Sequence, residues 1–267
     1  MTSDPPDPHP ERLSLREWIT SLAALRRLLG DVGRTEDVFR IVRFLNIRAA
    51  RRAYRRLLST GRGGRLAFER RELRPLLGDP AYLAGFAPRS VGAAYARFVA
   101  DTGYSAEGLA EISRRDDTSR EAPHPYAWFA RRQRDTHDIW HVLTGYHADD
   151  PLGEACLVGF TYAQMGGAGW RLILLGAMLK ALPMSGGVPA VRAMVEGYRR
   201  GRRASWLVDQ DYETLLAEPL DGARRRLTIA PAPRYDHADS LRAAWIAQNG
   251  GVSGEAGAGA DRIGRAA

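Results

Sequence analysis

The sequence predicts an all-α fold with a single domain. Apolar residues recur at three-and-four spacing along most of the chain, and helix start and stop signals bound these segments. There is no period-two alternation of strand length and no repeat at solenoid period. The 267 residues can bury a sizeable core. We therefore expect a compact helical domain of about ten helices over residues 13–231, a disordered lead-in at 1–12, and a poorly ordered Gly/Ala-rich tail at 232–267.

Taken in order, the first helix is expected from residue 13 to Gly30, where glycine acts as a stop, and a second begins at the capping residues 35–37. The glycine run at 61–64 predicts a turn. Asp150 followed by Pro151 predicts a helix start. The other helices are expected at about 48–58, 90–101, from 105 onward, and at 126–146, 151–164, 170–182, 188–203, 209–218 and 220–227. Short helical pieces are expected within 65–87 and a charged loop at 114–125. After residue 231, at most one helical turn is expected, at 241–246.

Composition restricts the class of protein. The formal charge is +8, from 39 Lys+Arg against 31 Asp+Glu, and Lys180 is the sole lysine, a bias typical of a GC-rich bacterial genome. The arginines are interleaved with acids and come without a helix-turn-helix, finger or RNP pattern, so nucleic acid is not an expected partner. Cys156 stands alone, which excludes a disulfide within the chain and fits a reducing compartment.

The chain carries no recognisable export or membrane-spanning signal. Residues 1–10 are acidic and proline-rich and lack the basic and apolar regions of a signal peptide. The longest apolar run, at 172–179, is far shorter than the ~20 residues that a spanning helix needs. We therefore expect a cytoplasmic protein whose membrane contact, if it has one, is peripheral.

The candidate functional residues are His137, Asp138, His141 and Glu154. Histidines four apart lie on one helix face, Asp138 is three before His141, and Glu154 falls in the first turn of the next helix. Imidazoles with carboxylates suit zinc, iron or manganese. Each residue also has a structural interpretation: such a histidine pair occurs by chance, Glu154 complements its helix dipole, and Asp138 can pair with Arg134.

The motif that runs from His137 and Asp138 through His141 to Leu152-Gly153-Glu154 resembles the signature of the coenzyme Q (ubiquinone) biosynthesis protein 4 family. The resemblance extends from about residue 22 to 229 and includes residues 160–164 and 198–204. The gap before Glu154 is one residue longer than the family's usual pattern. The extra residue lies in the turn at 146–150.

This resemblance implies an all-helical protein of ubiquinone biosynthesis that holds a divalent metal, zinc or else iron or manganese, on His137, Asp138, His141 and Glu154. The implied activity is C1 decarboxylation, with oxidative replacement by hydroxyl, of a polyprenylated hydroxybenzoate intermediate. Implied partners are the polyprenylated quinone precursor, other quinone-biosynthesis enzymes and, peripherally, the inner membrane of a bacterium. A homodimer is a further expectation.

Other interpretations remain open from the residues alone. Arg202 and Arg203 are candidates to clamp a substrate carboxylate, or else they are solvated charges at a helix end. The main alternative function is a non-catalytic, lipid-binding scaffold that organises the biosynthetic complex. A His-Asp phosphohydrolase would need a further upstream histidine. A di-iron bundle would need the pattern carboxylate-x-x-His on two helices. Asp138 to His141 is one such pattern, but Pro123 interrupts the other, Glu121 to His124.

Overall fold

The computed structural model describes residues 15–30, 37–38, 41–42, 45–116 and 124–249. In these residues the chain is helical and contains no β-strand, only an isolated bridge between Ser90 and Pro219. The predicted all-α class is confirmed. The described helices are α1 (Leu15–Gly30), α2 (Ile47–Leu58), α3 (Gly61–Glu69), α4 (Arg74–Leu77), α5 (Pro80–Ala84), α6 (Val91–Thr102), α7 (Ala106–Asp116), α8 (Pro125–Asp135), α9 (His137–Thr144), α10 (Pro151–Met165), α11 (Ala168–Ala181), α12 (Gly187–Arg203), α13 (Tyr212–Leu215), α14 (Leu220–Arg226) and α15 (Pro233–Asn249), with a 3-10 turn at Leu207–Asp209.

Helices α10 and α12 form the centre of the domain and run parallel, with α11 as the return segment between them. Gly197 faces the Cys156 carbonyl oxygen, and Gly201 faces Phe160, whose carbonyl oxygen would lie 2.6 Å from a Cβ at that position. Because neither glycine has a side chain, the two backbones approach closely along this line. The contact therefore fixes how far α12 sits from the helix that carries Glu154.

The main hydrophobic cluster surrounds this pair and extends to the C-terminal helix. Its fully buried members include Trp128, Tyr95, Phe160 and Tyr212. Helix α9 lies inside it, in contact with α6, α8, α10 and α14. A smaller cluster joins α1 to α11 through Ala24 and Ile173. The predicted functional histidines are thus held by a helix that is packed on several sides.

The prediction of a turn at residues 61–64 is wrong, because this run begins α3. The Thr60 hydroxyl accepts a hydrogen bond from the Gly63 backbone N–H at 3.0 Å and caps the helix. A Cβ on Gly63 would collide with Leu57, so glycine serves close packing between α2 and α3 here. The glycines predicted a turn, whereas the Thr60 cap and the close contact with Leu57 make the segment the start of a helix.

The predicted continuous helix over residues 126–146 is divided at Thr136 into α8 and α9. Thr136 has φ −89° and ψ −5°, and its hydroxyl donates to the Gln133 carbonyl at 3.2 Å. A threonine that hydrogen-bonds back to a preceding carbonyl bends a helix. The division leaves His137 and Asp138 in the first turn of a new helix.

The predicted tail at 232–267 is wrong for its first part, since Pro233–Asn249 forms α15. The α12 side chain of Glu196 accepts from the backbone N–H groups of Arg234 and Tyr235 at the start of this helix. Arg242 of α15 pairs with Asp150 at 2.6 Å. Both partners are distant in sequence, which is why the local composition did not predict the helix.

Some predictions fall outside the described residues. These are the lead-in at 1–12, most of the second predicted helix after residue 35, residues 117–123 of the charged loop, and 250–267 of the tail. In the part of the chain that the structure describes, none of the helices has the length and apolarity needed to cross a bilayer.

Candidate metal centre

The C-terminal end of α9 is held by two arginines from distant helices. Arg200 of α12 donates to the Thr144 carbonyl at 2.9 Å, and Arg224 of α14 donates to the carbonyls of Val142 and Leu143 at 3.0 Å each. These carbonyls have no partner within the helix, and cations at this end also complement the helix dipole. The helix that carries His137 and His141 is therefore fixed in position along its last turn.

The start of α10 places Glu154. The Asp150 carboxylate accepts from the backbone N–H groups of Leu152 and Gly153 at 3.0 and 3.1 Å, and Pro151 occupies the first position. This confirms the predicted helix start. Glu154 stands in the first helical turn, where the helix dipole favours a negative charge.

His137, His141 and Glu154 converge on one point. Each offers a ligand atom, and these atoms all lie within 4.8 Å of one another. The distance from His141 Nε2 to Glu154 Oε1 is 3.2 Å, and that from His137 Nε2 to Glu154 Oε2 is 3.9 Å. Ligand atoms about 2.1 Å from a tetrahedral zinc ion are roughly 3.4 Å apart. The spacing of the three side chains thus fits a single small cation, and the extra residue before α10 does not keep Glu154 away.

The other ring nitrogen of each histidine has its own acceptor. His141 Nδ1 lies 2.9 Å from the Tyr146 carbonyl oxygen, so it carries the proton, and Nε2 is left as a lone-pair donor. His141 Nε2 is buried and makes no hydrogen bond. His137 Nδ1 lies 3.2 Å from Asp138 Oδ1. In metal sites such outer partners fix the tautomer and the orientation of the ring. The donor set therefore fits a divalent metal bound through both Nε2 atoms.

Asp138 does not belong to the converging set. Its side chain is buried beside His137, and its second oxygen, Oδ2, has no hydrogen-bond partner. The interpretation that pairs it with Arg134 also differs from the structure, in which Arg134 Nε donates to Asp135 at 3.0 Å. Of the four candidate ligands in the motif, three have ligand atoms that converge, and Asp138 instead contacts the Nδ1 side of His137.

The charges of the cluster stabilise one another. Burial raises the pKa of Glu154, but the neighbouring His141 and His137 outweigh it, so the pKa lies below its ordinary value. For His137, burial lowers the pKa, but the hydrogen bond to Asp138 and the charge of Glu154 reverse the direction and raise it. Two imidazoles and a carboxylate in this balance form a region that attracts a cation once the imidazoles are neutral.

Helix α6 supplies a wall that sequence reasoning missed. The ring of Phe98 stacks on His141 with centroids 6.0 Å apart, and Tyr95 is fully buried. Tyr104, just beyond α6, has 46 % of its side chain exposed. Burial and the nearby charge of Glu154 raise the pKa of its hydroxyl. Because these aromatic residues precede the motif by some forty positions, no local signal connects them to it.

The structure does not bring the other candidates to the cluster. Arg202 and Arg203 are exposed at the end of α12, whose contacts place them beside the C-terminal half of α10 rather than its first turn. His124 caps α8 by accepting from the Tyr126 backbone N–H. His147 is exposed and faces the ring of Tyr235. In contrast, Arg200 is buried and has a structural contact with α9.

Fold and site together define an all-helical protein with a candidate mononuclear metal centre of two histidines and one glutamate. Residues 16–233 match the family described as Coenzyme Q (ubiquinone) biosynthesis protein Coq4. The chain belongs to this family, and its role therefore lies in ubiquinone biosynthesis.

Two known proteins illustrate the relationship. The ubiquinone biosynthesis protein COQ4 homolog, mitochondrial, of Nematostella vectensis is 28 % identical over 152 residues, which span 54 % of this chain and 68 % of the relative. The fold also resembles the crystal structure of a Nostoc punctiforme protein provisionally assigned to ubiquinone biosynthesis, with a TM-score of 0.57 and 21 % identity over 79 % of this chain and 97 % of that one. At this identity the second likeness concerns the fold alone.

Proposed function

We propose that the protein is a metal-dependent carboxy-lyase of ubiquinone biosynthesis. It removes the C1 carboxylate of a polyprenylated hydroxybenzoate intermediate as carbon dioxide and, in the oxidative form of the reaction, leaves a hydroxyl on the ring carbon. The observation that carries the proposal is the convergence of His137, His141 and Glu154, in which the buried Nε2 of His141 lies 3.2 Å from Glu154 Oε1 and makes no hydrogen bond. A buried polar atom without a partner is costly unless a ligand satisfies it.

In this proposal His137, His141 and Glu154 hold a divalent metal, with Zn²⁺ favoured by the nitrogen and oxygen donors and iron or manganese as the other candidates. Three protein ligands would leave a coordination position for substrate, as in catalytic zinc sites. When bound, the metal supplies Lewis-acid stabilisation of the negative charge that develops as carbon dioxide leaves. In the oxidative form the ring loses two electrons, so molecular oxygen is the oxidant whichever metal is bound: the carboxylic acid, oxygen and water give the phenol, carbon dioxide and hydrogen peroxide. Zinc would act only as a Lewis acid, whereas iron or manganese would also be able to relay the electrons.

The chain's own residues have separate tasks. Asp138 and the Tyr146 carbonyl hold the two imidazoles with Nε2 toward the centre. Phe98, which stacks on His141, and Tyr104, which lies near enough to Glu154 for its charge to act, offer aromatic surface to a benzoate ring. Arg202 and Arg203 are exposed cations available to a carboxylate, but at the other end of α10 from Glu154. We therefore propose that the metal-binding cluster and the neighbouring aromatic residues, rather than these arginines, orient the substrate.

The test is carbon dioxide release from a prenylated 4-hydroxybenzoate labelled at the carboxylate, with the purified, metal-loaded protein. We expect release from the wild type and none from Glu154→Gln. His147→Ala, a histidine outside the cluster, should keep full activity. The same three genes can be placed in a strain that lacks the decarboxylation step, where restored quinone synthesis is the readout. Equal release from Glu154→Gln and the wild type would contradict the proposal.

The alternative is a non-catalytic, lipid-binding scaffold for the other quinone-biosynthesis enzymes, favoured by the large apolar side chains that α11 exposes. In both functions the protein meets its polyprenylated partner at the membrane, which we propose to be the inner membrane of a bacterium, contacted peripherally. A homodimer remains a proposal. Tight binding of prenylated substrate without any turnover would favour the scaffold.

A further inference from the structure

Large apolar side chains that face solvent are concentrated on one side of the molecule. They lie on α1, on α11 and in the turn between α11 and α12, and together we call them the apolar face: Ile19, Leu22, Leu175, Leu179, Leu182, Met184 and Val188. Leu179 is 69 % exposed and Met184 61 %. Isolated exposed apolar residues are ordinary, but a contiguous group marks an interaction surface.

The apolar face is continuous across the two helices. Leu22 of α1 and Leu172 of α11 line the same small cavity, so the helices meet there. From Leu172, positions 175, 179 and 182 follow at spacings of three and four and occupy one side of α11. Ile173 and Leu174 are buried on its opposite side. Helix α11 therefore lies along the surface with one apolar side inward and the other outward.

The charges along the α11 part of this face are of one sign. No acidic residue occurs between Glu154 and Glu196 in the sequence, and Arg171, Lys180 and Arg192 fall within that interval. All three basic residues are exposed, and Arg171 shares its side of α11 with Leu175. Arg26 of α1 is also exposed. An apolar surface with a basic border suits the interface of an anionic bilayer. Burial of the apolar side chains and attraction of the basic residues to anionic headgroups both favour binding there.

We propose that the apolar face docks the protein on the surface of an anionic phospholipid bilayer, with Leu179, Leu182 and Met184 entering the headgroup and acyl boundary. The proposal builds on the peripheral membrane contact of the proposed function and names the surface that makes it. Helix α11, with 14 residues, is about 21 Å long and lies in the interface rather than spanning it. A second copy is a poorer occupant, since two basic borders would face each other.

The experiment is co-sedimentation of the full chain with vesicles of phosphatidylcholine alone or with phosphatidylglycerol added. We expect binding to the anionic vesicles that weakens with salt, because the basic residues act through screened charges. The double variant Leu179→Ser/Met184→Ser should bind about tenfold more weakly, since two apolar side chains no longer leave water. Lys180→Glu/Arg192→Glu should lose the preference for anionic lipid.

The matched control is Leu58→Ser/Phe68→Ser, which removes apolar side chains of 48 % and 88 % exposure on α2 and α3, outside the apolar face. It should bind like the wild type. Three results would overturn the proposal: no binding of the wild type to anionic vesicles, an equal loss in the control, or a dimer in sedimentation velocity that the face variant dissociates while vesicle binding persists. Metal content and carbon dioxide release are measured separately, so failure of docking is distinct from failure of the proposed activity.

Discussion

At the residue scale, the buried ring of His141 decides whether the cluster is a metal site. Its Nδ1 is committed to the Tyr146 carbonyl, so Nε2 is the atom presented to Glu154. We expect about one equivalent of divalent metal per chain by elemental analysis, retained in His147→Ala and lost in His141→Ala. Comparable metal in wild type and His141→Ala would show that the ion is bound elsewhere.

Asp138 provides a second test at this scale, because its contact with His137 differs from that of a ligand. Asp138→Asn should keep the metal stoichiometry and weaken the affinity by about 10- to 100-fold, the usual cost of losing an outer-shell partner. Glu154→Gln, which removes a ligand, should lose more. Competition titration with a chelator of known affinity measures both. If Asp138→Asn abolishes binding as His141→Ala does, Asp138 is itself a ligand.

At the element scale, the distance between α10 and α12 depends on the glycines at their contact. Gly197→Ala puts a Cβ against the Cys156 carbonyl oxygen, where the backbone cannot yield easily. We expect the free energy of unfolding to fall by roughly 2 kcal/mol despite the better helix propensity of alanine.

Gly108 of α7 is the matched control for that change. A Cβ added at Gly108 would have the Ser105 hydroxyl oxygen as its nearest neighbour, at 3.7 Å, which is an ordinary van der Waals contact. Gly108→Ala should leave stability unchanged or raise it by up to about 1 kcal/mol. Urea unfolding followed by circular dichroism compares the two, and equal effects would mean that the α10 and α12 contact is not close-packed.

At the scale of the whole molecule, close packing of the interior makes the thiol of the chain's sole cysteine unreactive. Cys156 has no exposed surface, and burial raises the pKa of its thiol well above the usual value. Since the thiolate is the reactive form, a thiol reagent at pH 8 should react with the folded protein far more slowly than with the protein in denaturant. Rapid reaction of the folded protein would indicate that α10 opens locally.

The sequence by itself predicted the helical class, most helix positions in the central part of the chain, and four candidate ligands, of which three converge in the structure. Period, caps and spacing are local properties, so they predicted α10 from Asp150 and Pro151, and placed His137 and His141 four apart on one helix. Motif spacing also indicated Glu154, although only the fold shows that the longer turn still delivers it to the histidines.

Tertiary structure alone decided which partner each group meets. It placed Asp138 behind His137 rather than in the cluster, and it brought Arg200 and Arg224 to the end of α9. It also turned the start of the expected tail into α15 through Glu196 and Asp150. The physical reason is the same in each case: hydrogen bonds and burial between residues far apart in sequence outweigh local propensity, and no periodicity within a single segment records them.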